Sequence, residues 1–227
     1  MSVNKKLYME LAVSFAVALV LLVGFIAVSQ NLQAAWVDAL DRTVGEAVRG
    51  LRSDGLTPAA KFFTALGTSK VEGSVCLLIA LLLLFRLKYR WETLILIVGV
   101  LGTWGLNTLL KSVFERDRPE LALRLVEETG FSFPSGHSMV SLLFYGLTGY
   151  LLWYEVRGSW RAAWLIPLAT ALVVACIGCS RIYLGVHYPS DVLAGFAAGG
   201  ACLAGCIMAV RAVRHRRAAK RGADRTR

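Results

Sequence analysis

The chain has 227 residues, of which 56% are hydrophobic and only 18% are charged, and its mean hydropathy is +0.59. An average soluble domain has about 45–50% apolar and about 25% charged residues. The apolar residues are grouped in long uncharged runs, which excludes a disordered chain, a disulfide scaffold and an ordinary soluble domain. The sequence therefore predicts an integral membrane protein.

The net charge of +10 is concentrated at the end of the chain. Residues 211–227 contain eight Lys or Arg residues and one acidic residue, directly after an apolar run. Such a cluster is typical of an anchor beside anionic lipid headgroups, whereas a nucleic-acid-binding protein carries a basic face on a reading fold. We therefore expect a basic cytoplasmic tail at 211–227 and no nucleic-acid partner.

Six apolar runs predict an all-α bundle of six transmembrane helices, since a spanning helix needs about 20 residues. We expect this bundle to be a single membrane-embedded domain over residues 1–210. The runs cover residues 8–28, 71–85, 93–110, 138–154, 162–179 and 192–210.

The first outer loop is amphipathic. Its apolar residues recur three or four apart from Trp36 to Leu51, with Asp41 among the residues on other faces. This spacing predicts one or two interfacial helices. We expect Thr57 to cap the second of them and Gly67 to end it.

The distribution of basic residues predicts the orientation in the plasma membrane. An even number of spans places both termini on the same side. If that side is the cytoplasm, the inner segments contain 15 of the 25 Lys and Arg residues although they are much shorter than the outer ones. Positive residues favour the cytoplasmic side. The termini are therefore expected inside, and the loops carrying His137 and His187 outside.

Polar residues are concentrated in three segments at the outer ends of the runs. The first segment closes the third run and contains Lys111 and Arg118, followed by Pro119. Because Pro119 disfavours helix at Arg118, this arginine can fold back towards Lys111. An ammonium and a guanidinium group together suit a phosphate dianion. Two cations at the end of a span are also typical of snorkelling anchors.

The second segment, Pro134-Ser135-Gly136-His137, opens the fourth run and predicts a helix start capped by Ser135. Gly136 allows a ligand to approach the backbone closely. Free N–H groups and the helix dipole favour an anion there, with His137 facing it from the first turn. A plain capped helix is the alternative interpretation.

The third segment links the last two runs and contains Ser180-Arg181, His187 and Asp191. Pro189 suits the first turn of the last helix, so His187 precedes that helix and Asp191 lies one turn along it. The carboxylate can then accept the proton of one imidazole nitrogen and leave the other nitrogen as a nucleophile. Arg181 adds a third cation. Taken alone, the segment also fits a structural His–Asp hydrogen bond.

All three segments fall on the same predicted face of the membrane. Three cations, a capped helix start and two histidines at one surface indicate a phosphate site with a nucleophile and an acid. Glycines at positions 195, 199 and 205 are expected to allow close helix packing near this site.

These segments match all three signature motifs of the type 2 phosphatidic acid phosphatase superfamily, over residues 111–191. With six helices around them, the chain resembles the bacterial membrane branch, which includes phosphatidylglycerophosphatases and undecaprenyl-diphosphate phosphatases. The resemblance implies that His187 attacks phosphorus to give a phosphohistidine, that Asp191 orients His187, and that His137 protonates the leaving group. It implies that the phosphoryl oxygens are held by Lys111, Arg118, Ser135, Gly136 and Arg181.

The resemblance further implies catalysis without a metal or other cofactor. No cluster of carboxylates accompanies the motifs, and we expect the nearby acidic residues to be solvated loop charges. These residues are Glu115, Asp117, Glu127 and Glu128.

The expected function is therefore an integral membrane lipid phosphatase acting at the outer leaflet, with a membrane lipid phosphate and the bilayer as its partners. The candidate substrates are phosphatidylglycerol phosphate, phosphatidic acid, undecaprenyl diphosphate and short isoprenyl diphosphates. No residue pattern indicates an oligomeric state.

Three alternatives remain. A vanadate-dependent haloperoxidase uses the same motifs but is soluble and larger. A transporter or flippase would bind phosphate without cleaving it, and it would need polar residues within the spans. An inert structural membrane protein would have no reason to carry both histidines.

Overall fold

The computed structural model describes residues 3–225, including the side chains of residue 5 and residues 7–219. Within this part of the chain the secondary structure is entirely helical, which confirms the expected all-α class. A π turn at Leu82–Arg86 extends the fourth helix, and a 3-10 turn at Leu121–Leu123 lies in the longest loop. The eight α helices of residues 3–225 are α1 Val3–Ser29, α2 Ala35–Gly50, α3 Leu56–Leu66, α4 Ser69–Leu81, α5 Arg90–Phe114, α6 Gly136–Val156, α7 Leu165–Tyr183 and α8 Pro189–Arg225.

Helix α6 lies at the centre of the bundle and packs against α5, α7 and α8. Its side chains Leu143, Phe144 and Leu147 are fully buried in the main hydrophobic core. Helix α1 lies at the periphery, packs against α8, and exposes large apolar side chains such as Phe15 and Val20. Exposed apolar residues around a buried core are what a helix bundle in lipid requires.

Among the described residues, four helices are long and apolar enough to cross a membrane. They are Leu7–Ser29, Arg90–Phe114, Leu165–Tyr183 and Pro189–Ala219. Helix α3 and the segment Ser69–Arg86 meet at 52° and would form a fifth span if they act as one. Helix α6 has 21 residues but is not among these candidates, because it carries polar side chains such as Ser138 and Ser141 into the bundle. The structure thus supports a membrane protein, while the expected count of six spans is not confirmed.

The first loop forms two helices, where its periodicity predicted one or two. Trp36 on α2 and Leu51, directly after this helix, are exposed. Asp41, which lies on another face of α2 than the apolar residues, is buried because it bonds to groups of the candidate site described below. The predicted cap of α3 is wrong. Thr57 lies inside α3, whose N-cap is Gly55, and the Thr57 hydroxyl is 3.0 Å from the Tyr183 hydroxyl.

Small residues on α8 bring its start close to the start of α6. A Cβ atom at Gly195 would lie 2.7 Å from the Ser135 carbonyl oxygen, and one at Gly199 would clash with the Met139 backbone. The expectation for Gly205 is wrong, because a Cβ there would have no neighbour within 4 Å. The close approach lets the Ser135 N–H donate to the Asp191 carbonyl over 3.0 Å.

The basic tail begins within α8, which continues without a break past Val210 to Arg225. Residues 226–227 and the side chains from 220 onwards lie outside the described residues.

Candidate active site

The three polar segments meet at one end of the bundle. Helices α5 and α7 end there and α6 and α8 begin there, so that Lys111, His137, Arg181 and Asp191 lie within one turn or so of the same end. The charges of Asp191 and Arg181 act on Lys111, and the charge of Arg181 acts on His137, so these side chains lie near one another. The sequence prediction that these segments converge is therefore matched by the geometry.

His187 and Asp191 form a buried pair, with Nδ1 and Oδ2 3.3 Å apart. The Asp191 carboxylate also accepts hydrogen bonds from the Ser132 hydroxyl at 2.5 Å and the Tyr188 N–H at 2.8 Å. On the other side of the ring, Nη1 of Arg118 lies 3.1 Å from Nε2 of His187. A guanidinium group can only donate, so Nε2 is the unprotonated nitrogen and Nδ1 donates towards Asp191.

The protonation state of His187 follows from its burial. The side chain is 2% exposed, and burial lowers its pKa to about 4, although hydrogen bonding and charge attraction from Asp191 act in the opposite direction. Arg181 and Arg118 lower it further. The imidazole is therefore neutral near pH 7, and the lone pair of Nε2 accepts the hydrogen bond from Nη1 of Arg118.

Lys111 and Arg118 are held mainly by neutral backbone groups, whereas Arg181 donates to the Thr64 hydroxyl and to Glu128. The Lys111 ammonium donates to the carbonyl oxygens of Phe131 and, over 3.3 Å, Ser132. Burial lowers the pKa of Arg118, but a guanidinium stays charged at any ordinary pH. Carbonyl dipoles orient these cations without cancelling their charge. Arg118 donates to the carbonyl oxygens of Thr129, Gly130 and Val186 at 2.9–3.0 Å.

One loop carboxylate reaches this positive cluster. Glu128 accepts a hydrogen bond from Arg181 and lies 3.8 Å from Arg118, so the expectation that it is solvated is wrong. Burial alone would raise the pKa of Glu128, but the Arg181 charge and hydrogen bond outweigh it and the pKa is lowered. The attraction of two guanidinium groups draws the loop over the site. Glu127 is exposed, as predicted, and so are Glu115 and Asp117.

The start of α6 provides further hydrogen-bond donors. Ser135 is the N-cap, and its hydroxyl oxygen accepts from the Ser138 N–H over 3.4 Å. No partner is described for the N–H groups of Gly136 and His137, the first two residues of the helix. A Cβ at position 136 would lie 2.9 Å from the Asn107 side-chain oxygen, so a larger residue there would require Asn107 to move. Nε2 of His137 is buried and has no hydrogen-bond partner among the described residues.

A network behind Asp191 was missed in the sequence. Arg116 bonds to Oδ1 of Asp191 and to Oδ2 of Asp41, each over 2.7 Å, and its guanidinium carbon lies 4.3 Å from the Tyr188 ring centre. Asp41 also accepts from the N–H and hydroxyl of Ser190. Burial alone would lower the pKa of Arg116, but the two aspartates raise it. The network fixes the first turn of α8 and one face of Asp191.

A cavity of about 360 Å³ opens beside His137, between α4, α5 and α6. Its walls are partly apolar, with Val100 and Trp104 on α5. Glu72 on α4 is buried in this wall and accepts a hydrogen bond of 2.5 Å from the Ser141 hydroxyl. The cavity connects the site to the apolar sides of the spans.

Comparison with known proteins agrees with this fold. Residues 92–215 match the family model described as the PAP2 superfamily. The chain is 32% identical over 176 residues to phosphatidylglycerophosphatase B of Bacillus subtilis, covering 77% of this chain and 85% of that protein. The chain therefore belongs to the PAP2 superfamily.

Two further similarities are to an undecaprenyl-diphosphatase and to a solved structure. The chain is 30% identical over 125 residues to an undecaprenyl-diphosphatase of Sulfolobus acidocaldarius, which covers 53% of this chain and 55% of that protein. The crystal structure of a transmembrane PAP2-type phosphatidylglycerolphosphate phosphatase from Bacillus subtilis superimposes with a TM-score of 0.76 and 28% identity, over 83% of this chain and 93% of that one. The fold is thus that of a membrane PAP2 phosphatase.

Proposed function

We propose that this protein, as a membrane PAP2 phosphatase, removes a phosphoryl group from a membrane lipid by way of a phosphohistidine on His187. The observation that carries the proposal is the position of Nε2 of His187, which lies 3.1 Å from Nη1 of Arg118 on a buried imidazole ring. The charge of Arg181 also acts on this ring. A neutral nitrogen nucleophile next to fixed cations is suited to attack a phosphoryl group whose oxygens those cations hold.

In the first step Nε2 of His187 bonds to phosphorus and the bond from phosphorus to the leaving oxygen breaks. Asp191 accepts the hydrogen bond from Nδ1 and stabilises the positive ring that forms. His137 gives its proton to the leaving oxygen. In the second step water attacks phosphorus, the P–N bond breaks, and His137 takes the proton from the water.

The phosphoryl oxygens would be held by Lys111, Arg118, Arg181 and the first turn of α6, where the Ser135 hydroxyl and the Gly136 N–H lie. Since Nη1 of Arg118 occupies the lone pair of Nε2, the guanidinium must shift towards the phosphoryl oxygens before attack. The charge of these groups neutralises the transition state, which is the role a divalent cation has in many other phosphoryl-transfer enzymes. We therefore propose a metal-independent reaction.

The substrate is a lipid phosphate or diphosphate. The cavity beside His137 supports this, because a headgroup at the site would leave its chains between α4, α5 and α6, at the level of the bilayer. Phosphatidylglycerol phosphate and undecaprenyl diphosphate are the leading candidates, from the names of the two relatives.

The proposed topology is a single domain of six spans over residues 1–210, with the site outside and the tail 211–227 inside. Helix α6 would be one span, since 21 residues at about 1.5 Å each reach about 30 Å. The bent α3–α4 unit would contribute another, with α4 crossing the core. The excess of Lys and Arg in the short segments at the tail end supports this orientation.

The deciding experiment measures phosphate released by the purified protein from a panel of lipid phosphates and diphosphates, with EDTA present. Release from one or more of them, retained in EDTA and absent in His187→Ala, is the expected result. No release from any lipid, or activity that needs added magnesium, would refute the lipid phosphatase or the metal-free reaction respectively.

Single-cysteine labelling tests the orientation, in a parent whose five native cysteines are replaced. Ala122→Cys in the exposed loop before α6 should react with a membrane-impermeant maleimide in intact cells. Ala219→Cys near the exposed end of α8 should react only after lysis. The reverse pattern would place the active site in the cytoplasm.

A further inference from the structure

A groove of about 600 Å³ runs along the bundle towards the end opposite the active site. Helix α1 packs against α8 and α7 packs against α6, so a gap remains between α1 and α7, with α6 and α8 as its floor. Eight residues separate Val13 from Leu21 on its α1 wall, a length of about 12 Å. The groove is almost wholly apolar, with Val13, Val17, Leu21, Pro167, Ala171 and Val174 on its two walls.

A polar cavity of about 240 Å³ continues the groove at that end of the bundle. The two spaces share Tyr150, Trp153 and Arg211. The polar cavity is lined by three arginines and one carboxylate, together with His215. These charged residues are Arg157, Arg211, Arg214 and Glu10.

The arginines of this cavity are not all engaged with acids. The Arg157 guanidinium carbon lies 4.1 Å from the Tyr154 ring centre and 4.9 Å from that of Trp153. Among the described residues no carboxylate pairs with Arg157. Stacking fixes the plane of a guanidinium while its N–H edge remains available to an anion.

Arg211 is positioned at the junction of the two spaces. Its Nη1 donates to the Ser14 hydroxyl and to the Glu10 carbonyl, each over 2.9 Å, and its Nε donates to the Tyr150 hydroxyl over 3.3 Å. The Glu10 carboxylate is 3.8 Å away and 37% exposed, so it cancels only part of the charge. These bonds tie α1 to α8 and hold a cation at the mouth of the apolar groove.

We propose that this composite space is a binding site for an anionic phospholipid of the leaflet opposite the active site. The lipid phosphate lies against Arg157 and Arg211, and one acyl chain fills the groove between α1 and α7. An anionic headgroup is favoured because Arg157 pairs with no described carboxylate and Glu10 neutralises Arg211 only in part, whereas Glu92 and Glu155 already neutralise Arg214. The bound lipid bridges α1, which packs mainly on α8, to α7, which packs mainly on α6, and therefore stabilises the bundle.

The first test measures binding of phosphatidylmethanol to the purified full chain in detergent by native mass spectrometry. This lipid is an anionic phosphodiester with no monoester phosphate to release. Arg157→Gln is expected to weaken its binding about fivefold, since one basic residue near a lipid surface contributes about that much. Arg161→Gln is the matched control, because Arg161 is exposed in the same loop and does not line the cavity.

The second test fills the groove. Ala171 is exposed in its wall, so Ala171→Trp occupies the chain site without displacing core side chains. The wild type should melt several degrees higher with phosphatidylmethanol than with phosphatidylcholine, and Ala171→Trp should lose that difference while its melting temperature without lipid is unchanged. Glycerophosphate, which has no chains, should not compete for the site.

Three results would overturn the proposal. Equal weakening in Arg157→Gln and Arg161→Gln would show a general surface attraction. Competition by glycerophosphate would show a phosphate site without a chain groove. If phosphatidylmethanol still raises the melting temperature of Ala171→Trp as much as that of the wild type, the groove does not hold the acyl chain.

Discussion

The two ends of the bundle both carry clusters of arginines, but the partners of those arginines differ. At the active-site end Arg118 donates to backbone carbonyls, and it shares a single carboxylate, Glu128, with Arg181. A carbonyl dipole orients a cation and leaves its charge uncancelled. This end therefore keeps a net positive charge in a defined position, as binding of a phosphoryl group requires.

At the opposite end, Arg214 and Arg217 both pair with the fully buried Glu92, at 3.2 and 2.9 Å. Arg214 also bonds to Glu155 over 2.8 Å. Here carboxylates cancel most of the charge, and the pairs join α8 to α5 and α6. The kind of acceptor, a backbone carbonyl or a carboxylate, thus distinguishes cations that bind a ligand from cations that hold helices together. Among the described residues, the Arg157 side chain has neither kind of acceptor, so it belongs to neither group.

The largest expected difference between the ends concerns their histidines. His187→Ala should lower kcat at least about 10³-fold, because no other described group at the site presents an unprotonated nitrogen next to Arg118. His215→Ala, at the opposite end, should leave kcat within about twofold. Rapid quenching of the wild type should trap acid-labile, base-stable phosphate on the protein. Normal turnover in His187→Ala would exclude the phosphohistidine.

Substitution of an arginine should likewise affect catalysis at the active-site end and stability at the opposite end. Arg118→Ala is expected to lower kcat/KM by about 10²–10³-fold, the usual loss when one donor to a transition-state oxygen is removed. Arg214→Ala should leave kcat/KM unchanged but cost about 1–3 kcal/mol of stability, since Glu92 keeps only Arg217. Steady-state kinetics and thermal unfolding distinguish the two. A purely kinetic effect of Arg214→Ala would contradict its assignment as a structural cation.

What the sequence predicted correctly is local. The Ser135 cap bonds to a group three residues away, and His187 pairs with Asp191 four residues away, so the segments that contain them fix these contacts. The order of the segments along the helices then determines which end of the bundle they share. Such contacts depend on helix geometry alone.

What the sequence did not reveal joins distant parts of the chain. Arg116 bonds to Asp41 across 75 residues, and Glu128 bonds to Arg181 across 53. In the sequence Asp41 is one acidic residue among several on an amphipathic helix, and Glu128 lies in a loop beside the exposed Glu127. Only tertiary packing, which lays α2 and the long loop over the site, selects these residues from their neighbours.

The protonation of His187 gives a pH-dependent test of the site. Its pKa of about 4 lies below the usual value of about 6.5 for an unfolded chain, so between these pH values the unfolded state binds more protons than the folded one. The contribution of neutral His187 to the free energy of unfolding is therefore fully present above about pH 6.5. It is lost as pH falls towards 4, and the loss amounts to at most about 3 kcal/mol.

Imidazole ¹⁵N shifts report this directly, with the His187 signal assigned by its loss in His187→Gln. Activity alone is ambiguous, because a phosphate monoester itself titrates near pH 6. The His187 signal should stay that of a neutral ring at pH 5 and should change only near pH 4. A neutral-to-charged transition near pH 6.5 would show that burial does not control this group.

The smallest expected effect concerns the one carboxylate in the positive cluster. Because Glu128 bonds to Arg181 and lies near Arg118, a phosphoryl group must displace it before those arginines can hold its oxygens. Glu128→Gln keeps the shape and a hydrogen-bond acceptor but removes the competing charge. Inorganic phosphate should then inhibit at about threefold lower concentration, with kcat little changed, since a partly exposed ion pair contributes less than about 1 kcal/mol.

Glu127→Gln, in the exposed neighbour, is the matched control and should leave the inhibition constant unchanged. Weaker phosphate inhibition in Glu128→Gln would mean that the carboxylate positions Arg181 for the ligand rather than competing with it, and the contrast between the two ends of the bundle would then rest on the carbonyl-held Arg118 and Lys111 alone.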